Sequence, residues 1–174
     1  CTKEELDAKR ETALAAKKPL GYDRTCRDLP GKEISAKEAA GIPSVVRFKV
    51  PYRHGWLGYD DQVFGRIESA YSEIDDFVIV RSNGKPLYLL CNVVDDIRDR
   101  ITHIIRGQDH MTNTLKQVLL YEALEAPLPV FGHMPLTLDT KKAKISKRSH
   151  GEIVAVQFYR DNGFIPWAFN NFLA

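Results

Sequence analysis

From Asp95 onward the chain alternates short β-branched runs with one long amphipathic segment, and this alternation restricts the fold more than any other feature. Ile101 to Ile105 reads as a strand, Thr112 to Leu124 carries apolar residues at helical spacing, and Pro129 to His133 reads as another strand. Strand, helix and strand in that order are α/β grammar, with parallel strands joined by right-handed crossovers. Open sheets of that kind bind ligands just beyond the carboxyl ends of their strands. The text at that place is Lys141-Lys142-Ala143-Lys144-Ile145-Ser146-Lys147-Arg148, a concentration of positive charge.

The chain before Asp95 follows a different grammar. Thr2-Lys3-Glu4-Glu5 is a capping box, followed by helix formers to about Ala16, with Pro19 as the stop. Ser35 to Glu38 is expected to cap a short helical turn before Gly41-Ile42-Pro43. Val45 to Val50 alternates apolar and basic residues as a half-buried strand does. Gln62 to Ile67 and Phe77 to Val80 suggest two more strands, with a turn at Asn83-Gly84. Leu87 to Val94 is an apolar run that periodicity alone leaves open between strand and buried helix. Beyond the lysine loop, Ile153 to Asn162 reads as a helix with Gly163 at C′, and Pro166 opens a final helix. The expected boundary lies near residues 81–87, giving a mixed α/β insertion over 1–84 and half of a nucleotide-binding sheet over 85–174.

Composition excludes more than it assigns. With 174 residues and 44% apolar content the chain can bury a core, and 25 basic against 23 acidic residues leave +2, so any nucleic-acid surface must come from local clustering. No apolar run is long enough for a membrane span. Three dispersed cysteines make no disulfide framework, so a reducing, cytoplasmic setting is expected. The chain opens on Cys1 without a Met or a signal sequence and stops abruptly, and is expected to be an internal piece of a longer product.

Four groups of residues carry candidate chemistry. Lys144 and Lys147, with the Ser146 hydroxyl and amide between them, suit a polyphosphate, because displacement at phosphorus is helped mainly by positioned cations; the bland alternative is a solvated loop. Arg106 leaves the end of an apolar strand, where its fork can grip a carboxylate in a way Lys cannot copy, or can serve a surface ion pair with Asp95, Asp96 or Asp109. Asp95 and Asp96 are adjacent and diverge in direction, so they read as structural or orienting groups. Arg47, Lys49, Arg53, His54, Trp56, Tyr59 and Arg66 put basic and aromatic side chains on the β part, fit for RNA phosphates and unpaired bases, with Trp56 and Tyr59 equally readable as core.

His133-Met134-Pro135-Leu136, then KISKR, then Ser149-His150 resembles the second signature loop of class I aminoacyl-tRNA synthetases, and the text from Tyr88 to His110 resembles the glutamyl-tRNA synthetase family in particular. The resemblance covers essentially the whole chain. It implies the C-terminal half of a Rossmann-like parallel sheet with an inserted acceptor-stem-binding domain. The implied enzyme is a ligase that joins L-glutamate to ATP as glutamyl-adenylate and passes it to the 3′ end of a glutamate-accepting tRNA. It implies Tyr88, Asn92 and Arg106 for the glutamate side chain, and His110, His133, Leu136, Lys144, Ser146 and Lys147 for ATP, which arrives with Mg2+. Lys144 and Lys147 take the catalytic role, and Arg47, Lys49 and Arg66 meet tRNA. No general base is needed, since the attacking carboxylate is already ionised.

Cys1 and Cys26, with Asp28 nearby, match in spacing part of a zinc site found in some members, but half a ligand set does not hold structural zinc, and none is expected here. The family's HIGH-like first signature and its anticodon-binding domain have no counterpart in this text, so the piece alone is expected to be inactive. A shortened paralogue that glutamylates queuosine on tRNA, and a non-catalytic tRNA-binding module, are the alternatives; the intact KISKR speaks for the ligase.

Overall fold

The computed structural model describes residues 1–17 and 21–173, and they form two compact units, Cys1–Arg106 with His110–His133, and Gly107–Asp109 with the chain from Met134 onward. None of its helices is long and apolar enough to cross a membrane.

The first unit begins with α1 (Lys3–Ala15) under the expected capping box, the Thr2 hydroxyl accepting from the Glu5 amide at 3.3 Å and the Glu5 carboxylate from the Thr2 amide at 2.7 Å. The expected stop at Pro19 lies outside the described residues. Helix α2 (Gly31–Ala39) starts after Pro30, not at Ser35, because Pro30, at φ −57°, loses no helical bond by lacking an N–H while its carbonyl accepts from the Glu33 and Ile34 amides. Gly41, at φ +69°, supplies the left-handed residue that ends it.

Two short sheets follow. Strands β1 (Val46–Arg47) and β4 (Val78–Val80) pair antiparallel. β1 is shorter than the expected Val45 to Val50, because the Val50 amide donates to the Asp76 carboxylate at 2.9 Å and so leaves the ladder. The second sheet has the order β3-β2-β6-β5 and contains β2 (Trp56–Asp61), β3 (Gly65–Ala70), β5 (His103–Gly107) and β6 (Val130–Met134). β2 pairs antiparallel with β3 and parallel with β6, so the sheet is mixed. Sequence reading also missed β2 and placed its partner too early. Residues 62–64 form the turn instead, since the Asp61 carboxylate accepts the amides of Val63 and Phe64, both at 3.0 Å.

The ambiguous run before Asp95 is a helix, α3 (Tyr88–Arg98), and α4 (Met111–Ala123) is the core helix of the unit. Val118, Leu119, Leu120 and Tyr121 of α4 pack with Val93, Leu57, Tyr59 and Phe131, all buried. Burial of about 1.5–3 kcal/mol per large apolar side chain makes this cluster the main stabilising mass of the unit. Tyr59 therefore belongs to the core, whereas Trp56 is exposed.

In the second unit, α5 (Lys147–His150), α6 (Val156–Asp161) and α7 (Pro166–Leu173) follow the lysine loop. The single helix expected over Ile153 to Asn162 is interrupted, with a 3₁₀ turn at Gly151–Val154 and an extended Ala155 before α6. Tyr159 gathers Phe164 and Phe169 at centroid distances of 5.2 and 4.3 Å.

One polar strut ties β2 to β6. The Asp61 carboxylate, inside the core, takes the His133 amide at 3.1 Å and the His133 Nδ1–H at 2.6 Å. Burial pushes its pKa up, but the His133 ring and the amides of Phe64, Val63 and His133 outweigh that and hold it at about 2, below the ordinary 3.8. A depressed carboxyl contributes stability in full above its unfolded value and loses it as pH falls through the folded one, here roughly 2 kcal/mol between about pH 4 and pH 2. The stability gap between wild type and Asp61→Asn, measured by denaturant unfolding, should therefore narrow across that window. A gap of equal size at pH 2.5 and pH 6 would contradict the strut.

Candidate functional site

The strut continues into a chain of hydrogen bonds in the centre of the first unit. With Nδ1–H committed to an ionised Asp61, the His133 ring presents a lone pair at Nε2, and the Arg106 Nε–H donates to it at 3.3 Å. Arg106 Nη2 donates to the Thr114 hydroxyl at 2.7 Å and to Gln117 Oε1 at 2.5 Å. Gln117 Nε2 in turn donates to Asn92 Oδ1 at 2.5 Å. Thr114, Gln117 and His133 are wholly buried, whereas Arg106 and Asn92 are half-buried and reach toward solvent.

Each element delivers its member for a reason visible in its pattern. Thr114, Gln117 and Tyr121 stand three and four residues apart on α4, hence on one face, directed at α3 and the sheet. Asn92 lies on the facing stretch of α3, and Arg106 near the end of β5. Arg106 makes no ion pair with Asp95 or Asp96, and its hydrogen-bond partners within the first unit are neutral acceptors. A half-buried guanidinium held that way keeps Nη1 without a partner inside the first unit.

The acidic pair diverges. Asp96 accepts from the Tyr121 hydroxyl at 3.5 Å and its pKa is raised, first by burial, while Asp95 is exposed. Burial, then the neighbouring Asp96 charge, pushes the Tyr121 phenol up to about 12.

Of the other expected site residues, Tyr88 is half exposed and its ring lies 6.1 Å from that of His110. Arg47 is drawn into structure, donating to the Asp76 carbonyl at 2.8 Å and lying over the Tyr22 ring at 4.1 Å. Lys49 pairs with Asp28 at 2.9 Å, and Arg66 with Asp60 and Glu68 at 3.4 and 3.5 Å, all exposed contacts of small energy. The Cys1 and Cys26 sulfurs are 3.8 Å apart with the Lys9 ammonium 3.5 Å from Cys1, while Asp28 is turned to Lys49. Among the described residues no group of three His, Cys, Asp or Glu could share a metal.

The lysine loop, in the second unit, is folded onto Asp139. Its carboxylate accepts the amides of Lys141 and Ala143, both at 2.8 Å, and meets His150 Nε2 at 3.2 Å. These bonds, the Ala143 amide foremost, lower its pKa. Leu138 and Lys144 form an antiparallel bridge, and Lys142 takes φ +60° at the turn. Lys144 Nζ reaches Asp109 at 2.5 Å, Ser146 is the N-cap residue of α5, and Lys147 and Arg148 are exposed and make no ion pair among the described residues. Leu136, in the same unit, is half-buried.

Sequence reasoning missed Asp61, Thr114 and Gln117. The available signal was a pair of polar residues inside the apolar stripe of α4; Asp61 offered none, since its strand had not been recognised.

Comparison with known proteins bears on the same residues. All of residues 1–174 match the family described as tRNA synthetases class I (E and Q), catalytic domain. The chain is 74% identical over its full length to the glutamate–tRNA ligase of Desulfotalea psychrophila and 48% identical to that of Coprothermobacter proteolyticus, spanning 35% and 37% of those proteins. Its structure superposes on a glutamate–tRNA ligase from Elizabethkingia meningosepticum, solved in complex with its amino acid, with TM-score 0.82 and 31% identity over all of this chain and 39% of that one. The glutamate–tRNA synthetase of Elizabethkingia anophelis gives TM-score 0.77 at 32% identity, over 90% of this chain and 32% of that one. The chain thus spans little more than a third of the relatives it matches, and it belongs to the catalytic domain of the class I tRNA synthetases of the E and Q group.

Proposed function

We propose that the intact protein is a glutamate–tRNA ligase, and the observation that carries this reading is Arg106, a guanidinium fixed by Thr114, Gln117 and His133 with an edge left for an external anion. The glutamate side-chain carboxylate meets that edge, with Asn92 and Tyr88 beside it. The α-carboxylate, already ionised, attacks the α-phosphorus of ATP, forming the mixed anhydride and releasing pyrophosphate, and the terminal ribose hydroxyl of tRNA then takes the acyl group with release of AMP.

Lys144 and Lys147 neutralise charge that builds on the phosphates, and magnesium arrives with ATP as part of the substrate. The Lys144 ammonium rests on Asp109 at an exposed site, so exchange of that partner for a phosphate costs little. His110, Leu136 and Ser146 serve the nucleotide. His133 serves it through its place at the strand end, because both of its ring nitrogens are occupied. Residues 1–84 are assigned to the tRNA acceptor end, through Arg47, Lys49 and Arg66, and residues 85–174 to the nucleotide-binding half. The setting is cytoplasmic, where tRNA is charged.

Two experiments on the intact protein test this reading. Lys147→Ala should lower the rate of glutamate-dependent ATP–pyrophosphate exchange by about 10²–10³ while the glutamate affinity stays unchanged; a normal exchange rate would exclude the phosphate role. Arg66→Glu, by removing a phosphate partner, should weaken tRNA binding most at low salt, and equal affinity at 50 mM salt or less would remove Arg66 from the RNA surface.

A further inference from the structure

We infer that Gln117 sets the hydrogen-bond polarity of the amino-acid pocket and thereby makes it take a carboxylate in preference to a carboxamide, an inference that rests on Arg106 and Asn92 being the glutamate ligands. Gln117 is wholly buried and touches no substrate in this scheme; it is a positioning residue that acts through its two neighbours.

The argument is one of donors and acceptors. A guanidinium has five N–H groups and no acceptor, so the end of the Gln117 amide that faces Arg106, 2.5 Å away, must be the oxygen. The other end is then the NH2, and it faces Asn92 at 2.5 Å. A donor there requires an acceptor, so Asn92 must turn its Oδ1 inward. That leaves the Asn92 Nδ2 hydrogens, and the Nη1 hydrogens of Arg106, without a partner within the first unit. Arg106 thus dictates the orientation of Gln117, Gln117 dictates that of Asn92, and both half-buried ligands offer only hydrogens.

His133 keeps the sequence from reversing. Its Nε2 lone pair receives Arg106 Nε, because Nδ1–H is committed to Asp61, so the guanidinium is fixed along that edge as well. A carboxylate has lone pairs on both oxygens and no hydrogen, and satisfies such a pocket. The side-chain amide of glutamine, of nearly the same shape, would set its own N–H against an N–H of the pocket, leaving buried donors unmet at a cost worth ~10- to 100-fold in affinity.

The test compares glutamate with glutamine, each as substrate and as competitor, in tRNA-supplemented pyrophosphate exchange by the intact protein. In Gln117→Glu the new carboxylate still accepts from Arg106 but has no hydrogen for Asn92, which must turn Nδ2 inward and show its oxygen to the pocket. The ratio of kcat/KM for glutamate to that for glutamine should fall ~10-fold or more, with the KM for ATP unchanged. Gln117→Met, which adds no charge and frees Asn92 to rotate, should lower the same ratio by a smaller factor, and it supplies the answer if the Glu variant does not fold. If both substrates lose kcat/KM in equal proportion, Gln117 is merely structural and the inference is overturned. An Arg106→Ala arm separates the two layers. An unchanged glutamate KM there would sink the pocket reading itself, whereas a raised KM beside an unchanged ratio in the Gln117 variants would sink only the inference.

Discussion

A carboxylate buried at the end of β2 sets the direction of the hydrogen bonds on both sides of the His133 ring, at the centre of the first unit. Because Asp61 is ionised and accepts only, the His133 proton goes to Nδ1, the lone pair to Nε2, and the Arg106 Nε–H to that lone pair. Asp61 and His133 are 72 residues apart in sequence, and Arg106 and Gln117 come from a further strand and a helix. Four elements must be in place before the chain closes. Its cost is high when partly made, since an unsatisfied buried group loses about 1–3 kcal/mol, and that asymmetry ties the local geometry to the fold as a whole.

The lysine loop is organised on the opposite principle. Its backbone is fixed, by Asp139 accepting two loop amides and by the Leu138–Lys144 bridge, but its cations are left in water. An exposed ammonium pair such as Lys144 with Asp109 contributes at most a fraction of a kcal/mol, so the partner is readily replaced by a more highly charged one. In the proposed ligase, the groups that choose between near-identical ligands are buried, and the groups that meet a large polyanion are exposed and exchangeable.

What could be read from the sequence follows from how local its cause is. The capping box at Thr2 and Glu5, the turn glycines Gly84 and Gly163, the helix α4 and the strands flanking it depend on neighbours in the chain, and all appear within two residues of where periodicity and turn chemistry put them. Errors arose where a distant group intervened. The Asp76 carboxylate takes the Val50 amide and shortens β1, and the Asp61 carboxylate takes two turn amides and moves the β2–β3 hairpin. Arg106 and the lysines were singled out through the resemblance, since a motif names residues by their place in the text. The network behind Arg106 was not, because nothing about Asp61 or Gln117 in isolation marks them as partners of a residue elsewhere in the chain.

That network is also hard to explain by stability alone. Well-packed apolar side chains of similar volume commonly replace buried polar or ionic groups without loss, and often with gain. A structure that keeps an aspartate, a histidine, a threonine and a glutamine together in the middle of a mostly apolar core holds them for something packing cannot supply. What they supply is orientation. An apolar neighbour can centre a guanidinium or an amide, but it cannot tell an oxygen from an NH2 at the end of an amide, because the two differ little in shape. Only a partner whose own polarity is fixed can make that distinction, and polarity here is fixed at both ends, by a carboxylate that cannot donate and a guanidinium that cannot accept.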